Sequence, residues 1–161
     1  MPAGDTMKIT GFTLIELLVT LAVAVILATV AVPNFQGTMV NSRLASDYNE
    51  VLSGINYARS EAIKRRQDVT FSLEESSPWK YEVSIEGGGD IRVRSSRDSR
   101  MTVTSNSNVT FNSLGRTDDC EDGCLLNVRH DIGGCRAVSV SRFGRVARAE
   151  QCADTSGVST P

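Results

Sequence analysis

One carboxylate stands where carboxylates are seldom found. Glu16 lies inside a run from Phe12 to Val32 that is otherwise apolar except for Thr13, Thr20 and Thr29. A charged side chain in an apolar span costs at least about 2.5 kcal/mol on insertion scales, so it is usually kept for a partner. The chemistry open to Glu16 is neutralisation of a nearby cation. The four cysteines are Cys120, Cys124, Cys135 and Cys152, all in the last quarter of the chain. They could pair as disulfides or hold zinc, but the spacing lacks the two Cys-x-x-Cys pairs of a structural zinc site. Asp118, Asp119, Glu121 and Asp122 could attract calcium, yet the EF-hand spacing is missing and a solvated acidic loop fits better. Arg142, Arg145 and Arg148, with Arg136 nearby, could contact phosphates. His130 is the single histidine, beside Asp131, and there is no Gly-x-Ser-x-Gly, phosphate loop or His-Glu-x-x-His. No active site, metal or cofactor is expected from this inventory.

The element that must carry Glu16 is a helix. The 21 residues from Phe12 to Val32 would rise about 32 Å, the thickness of a bilayer's hydrocarbon core. A secretory signal peptide would have a basic start, a shorter apolar core and a small-residue cleavage site. Thr29-Val30-Ala31 could pass for that site, but the core is too long, contains a glutamate and follows a segment whose one basic residue is Lys8. A plain single-pass anchor explains the length. It does not explain Gly11-Phe12 or Glu16.

Gly11-Phe12-Thr13-Leu14-Ile15-Glu16-Leu17, with Glu16 fifth counting from Phe12 and the apolar run continuing to Pro33, resembles the processing signature of type IV prepilins. The resemblance implies cleavage after Gly11 by a prepilin peptidase at the inner membrane and N-methylation of the new terminus at Phe12. It also implies that Glu16 neutralises that terminal amine, its own or a neighbouring subunit's. An amine and a carboxylate buried in one apolar bundle offset each other, whereas either alone is expensive. Residues 1–11 are then a leader, and a start at Met7 would leave the leader Met7-Lys8-Ile9-Thr10-Gly11.

Past Pro33 the pattern becomes one-sided. Phe35, Val40, Leu44, Tyr48, Val51, Leu52, Ile55, Ala58, Ala62 and Ile63 recur mostly at steps of three or four. Arg43, Asp47, Glu50, Arg59 and Glu61 lie mainly off that stripe. The helix is expected to end near Lys64-Arg65-Arg66, where cations suit the negative end of the dipole, and to kink or melt locally at Pro33. The expected organisation is a membrane-spanning or filament-core half at 12–33, an amphipathic half at 34–66, a β-rich periplasmic domain at 67–153 and a loose tail at 154–161.

The remainder alternates as strands: 68–73, a hairpin over 79–94 turning at Gly87-Gly88-Gly89-Asp90, then 101–104, 109–112, 125–129, 136–141 and 145–149. One long helix followed by antiparallel strands predicts an α+β, pilin-like fold. Trp79 is expected to face the helix. If 12–32 spans the membrane, the cysteines reach an oxidising compartment and disulfides are the default. A hairpin centred on Phe143-Gly144 would set Cys135 opposite Cys152, leaving Cys120 to pair with Cys124.

Asn56-Tyr57-Ala58-Arg59-Ser60-Glu61-Ala62 looks like the Tyr-Ala-Arg-Ser-Glu-Ala stretch of minor pilins and pseudopilins of the GspH/FimT/FimU type. That resemblance implies a low-abundance, non-enzymatic subunit that primes or tips a type IV pilus, with other pilins as partners, or a type II secretion pseudopilin. A third reading is DNA uptake, because Gly144-Arg145-Val146-Ala147-Arg148 resembles a basic motif of some FimT-type proteins, with an extra residue between the arginines. Residues 116–161 hold six arginines against seven acids, so no net basic field surrounds that hairpin. The whole chain carries a formal charge of −2 and does not force nucleic-acid binding.

Overall fold

The structure is a computed structural model that describes residues 12–149 and Cys152, with the backbone alone at Pro33 and Asn34. The leader with Gly11 and the tail at 154–161 lie outside the described residues. One helix, α1 (Leu14–Arg65), precedes eight strands. These are β1 (Val69–Glu74), β2 (Lys80–Ile85), β3 (Asp90–Ser95), β4 (Met101–Ser105), β5 (Val109–Phe111), β6 (Cys124–His130), β7 (Cys135–Val140) and β8 (Val146–Ala149). The chain divides into two compact units, Met1–Met39 and Val40–Pro161, and α1 contributes to both.

In the first unit every side chain from Phe12 to Val32 is exposed. The stretch is long and apolar enough to cross a membrane. Its threonine hydroxyls are spent inside the helix: Thr20 donates to the Leu17 carbonyl at 2.9 Å and Thr29 to that of Ile26 at 2.7 Å. Thr13 and Glu16, at the opening of the helix, are the remaining polar residues of the run. Helical structure runs unbroken through Pro33. The local melting expected there does not occur, because a proline removes one ladder bond while the turns on either side remain intact.

In the second unit Leu44, Tyr48, Val51, Ile55, Ala58 and Ala62 are all buried on one face of α1. Two members of the expected stripe, Phe35 and Ile63, are exposed instead. Glu61 departs the other way: it is buried, held by Arg65 at 2.8 Å and Lys64 at 3.0 Å, and the Arg65 and Lys64 hydrogen bonds lower its carboxyl's affinity for a proton. Arg66 then takes a left-handed conformation with φ 55°, which stops the helix.

The strands form two antiparallel four-stranded sheets, β3-β2-β1-β5 and β4-β6-β7-β8. Alternation sends Phe71 of β1, Trp79 just ahead of β2, Tyr81 and Val83 of β2, and Val103 and Val128 of the second sheet into one core with the helix residues. Trp79 and Tyr81 stack at 5.9 Å, and Phe71 packs on Tyr81 at 5.0 Å. The helix comes so close to β2 at Gly54 that an added Cβ would lie 2.6 Å from the Tyr81 ring.

Cys120 is bonded to Cys124 and Cys135 to Cys152, with Cα–Cα separations of 4.9 and 6.4 Å. The β7–β8 hairpin pairs Val140 with Val146 and Ala137 with Ala149. It is therefore centred on Phe143 itself, half a step from the expected centre between Phe143 and Gly144. The physical reason is the turn: Ser141 N–H bonds to the Arg145 carbonyl, and Gly144, at φ 74°, bonds back to Ser141.

Candidate functional site

The first turn of α1 is set by Thr13. Its hydroxyl accepts the Glu16 N–H at 3.3 Å, and its carbonyl accepts the Leu17 N–H at 3.2 Å. Thr13 is thus the N-cap of the rod, and Thr13-Leu14-Ile15-Glu16 has the spacing of a capping box. Sequence reasoning missed Thr13 although the pattern was legible. Capping places Glu16 about one turn from Phe12, on the opening turn at the helix's positive pole. Phe12 is 85% exposed. The arrangement is an uncovered apolar rod with one acid on its opening turn, able to accept a cation brought by another apolar helix.

The arginines named from sequence are separate from this turn. Arg142, Arg145 and Arg148 are exposed at the β7–β8 end. Arg136 lies back along β7, its guanidinium 5.9 Å from the Tyr48 ring. The turn itself is locked against the β5–β6 connection. A Cβ on Gly144 would sit 1.8 Å from the Gly115 carbonyl oxygen. Arg59 Nε donates to that same oxygen at 3.1 Å, and Thr117 N–H donates to the Arg142 carbonyl at 3.0 Å. Gly144 is required here for close approach and for its left-handed backbone.

Two polar clusters inside the second unit were not foreseen. Asp47 accepts the Trp79 ring N–H at 2.9 Å and the Ser96 hydroxyl at 2.6 Å. Glu50 accepts the Tyr81 hydroxyl at 2.8 Å and an Arg92 N–H at 3.1 Å. Burial, with the Glu50 carboxylate, pushes the Tyr81 phenol up. These acids lie off the apolar stripe, as expected, and there they accept hydrogen bonds from aromatic donors. Their position at the rim of the apolar stripe was the available signal.

Farther along, the Arg100 backbone N–H, with the Arg43 and Arg100 side chains, holds the Asp98 carboxyl down at about 2. The fully buried His130 ring has Nε2 3.8 Å from Asp98 and Nδ1 2.9 Å from Asp131. The acidic loop is also structural in part, since Asp119 accepts the Thr110 N–H at 2.7 Å. No group of three or more metal-binding side chains occurs among the described residues.

Comparison with known proteins bears on both units. The family described as type II transport protein GspH matches residues 47–144, and the prokaryotic N-terminal methylation motif matches residues 6–32. The fold is similar to that of the type IV minor pilin FimU of Pseudomonas aeruginosa, seen in two crystal forms. One aligns with a TM-score of 0.55 at 17% identity, covering 71% of this chain and 90% of that one. The other gives 0.52 at 17% identity, with 68% and 92% covered. A search of curated proteins gave no match. The family and fold are those of structural, non-enzymatic proteins. An N-methylation motif on an exposed apolar helix, followed by this helix-and-two-sheet domain, makes the chain a membrane-anchored member of the GspH family, the minor pilins and pseudopilins.

Proposed function

We propose that this chain is a minor subunit of a type IV pilus, priming assembly or sitting at the filament tip. A prepilin peptidase removes residues 1–11 between Gly11 and Phe12, and the new Phe12 amine is methylated. Segment 12–33 rests in the bacterial inner membrane and then enters the filament core. Segment 34–66 carries the β-rich domain 67–153 in the periplasm, with 154–161 as a loose tail. The observation that carries this reading is the acid on the opening turn of an uncovered apolar rod: Glu16 neutralises a Phe12 amine when two such rods lie side by side. Heterologous contacts of this kind do not close, and they generate a helical array.

The second reading is a type II secretion pseudopilin, which the description of the matching family favours, while the FimU likeness speaks for the pilus. A lesser third is capture of DNA by Arg142, Arg145 and Arg148. It is supported by the exposure of those three side chains, and a low-salt gel shift with short duplex DNA tests it. For the leading reading, Glu16→Ala should abolish surface filaments while leaving the thermal unfolding of the soluble domain unchanged. Loss of secretion with filaments intact would transfer the protein to the secretion system, and undisturbed assembly would reject both.

A further inference from the structure

The locked turn at Gly144 presents a surface that the fold does not use. Phe143 is 64% exposed, Leu114 on the adjoining β5–β6 connection 72%, and Ile63 on the last turns of α1 47%. They form one patch. Gly115, next to Leu114, touches Gly144, next to Phe143, and a Cβ on Gly115 would lie 2.8 Å from the Ile63 methyl. The guanidiniums of Arg116 and Arg142 each lie 5.8 Å from the Phe143 ring centroid. Arg145 follows on the same turn. Among the described residues no carboxylate forms an ion pair with Arg116, Arg142 or Arg145.

We propose that this patch is a docking site for an acidic peptide segment with an apolar anchor, supplied by another protein. Aromatic and arginine side chains presented from a fixed backbone are the composition that carries binding energy at protein interfaces. The Gly144–Gly115 contact and the Arg59 bond fix the loop backbone, so no loop ordering is left to cost binding energy on docking. Arg116 and Arg142 against the Phe143 ring, with Arg145 beside them, set the partner's sign locally, and the exposed aliphatics Leu114 and Ile63 ask for an apolar anchor that a nucleic acid does not offer. Asp118 and Asp119 share a groove with Arg116. A duplex, with a charge about every 1.7 Å along its axis, would run over those carboxylates, whereas a short peptide need not.

The test uses the full chain in neutral detergent micelles, with a fluorescent glutamate–tyrosine copolymer as probe. Polyglutamate of the same length and single- and double-stranded oligonucleotides serve as comparisons. The copolymer should bind saturably and about tenfold more tightly than polyglutamate, and Phe143→Ser should remove that advantage. Arg142→Glu with Arg145→Glu should weaken both polymers by about tenfold or more. Both changes are on exposed side chains, and the unfolding temperature checks the fold of each variant. Absence of saturable copolymer binding, indifference to Phe143→Ser, or tighter binding of an oligonucleotide would each overturn the proposal. None of these outcomes touches assembly through Glu16, which is measured separately.

Discussion

Asp98 shows how a single side chain ties this domain to pH. It accepts the Arg100 N–H at 3.1 Å, pairs with Arg43 at 2.6 Å and lies 3.8 Å from the buried His130 ring. Its carboxyl is held at about 2, below the ordinary 3.8. As pH falls below the ordinary value the unfolded chain takes up a proton that the folded state refuses. This contribution is complete above about pH 4 and disappears as pH falls through about 2. The melting temperature of the soluble domain should therefore drop between these values, and Asp98→Asn should flatten that drop. An equally steep fall in the variant would show that the acid sensitivity lies elsewhere. Glu16 is the opposite case at this scale. Thr13 accepts its backbone N–H at 3.3 Å, and its proposed counter-charge is the Phe12 amine, its own or a neighbouring subunit's.

Among the elements, α1 does two jobs with one backbone. Its first part keeps apolar side chains on every face, and its second concentrates them on one. The β7–β8 hairpin is the other element with a fixed task. Gly144 lets its turn sit against Gly115, and Arg59 of α1 bonds to the Gly115 carbonyl. Gly144→Ala would add a side chain at φ 74° and 1.8 Å from that oxygen. The left-handed penalty and the overpacking should together cost about 3 kcal/mol. Urea unfolding of the soluble domain measures this directly. A midpoint within error of the parent would mean that the two loops are free to separate.

The chain as a whole comprises two units, an apolar helical one long enough to cross a membrane and a domain with its own core. Among the described residues, the buried apolar ones belong to the unit Val40–Pro161. A chain beginning at Val40 should thus stay in solution without detergent and unfold in one cooperative transition by circular dichroism, since the two disulfides and the two-sheet core remain. A requirement for detergent, or a broad non-cooperative melt, would show that the first unit is needed for folding.

Local pattern alone made the architecture legible at this scale. Apolar alternation located eight strands to within a residue or two, and the three-four spacing of Leu44 to Ala62 marked the buried helix face. These signals survive in sequence because they depend on neighbours a few positions apart. Contacts between distant segments left no such trace. Asp47 and Glu50 showed only as residues off the apolar stripe, because the aromatic donors they meet lie about thirty positions away, on or just ahead of β2. The Gly54 approach to Tyr81 and the Gly144 approach to Gly115 depend on how helix, sheet and loop are brought together. The half-step in the β7–β8 register depended on turn geometry that Gly144 could adopt in more than one way. Sequence by itself determined which residues seek burial and where a lone acid meets an apolar rod. Only the tertiary structure decided which polar groups turn inward and which loops lock, because those choices are made by atoms that the chain order keeps far apart.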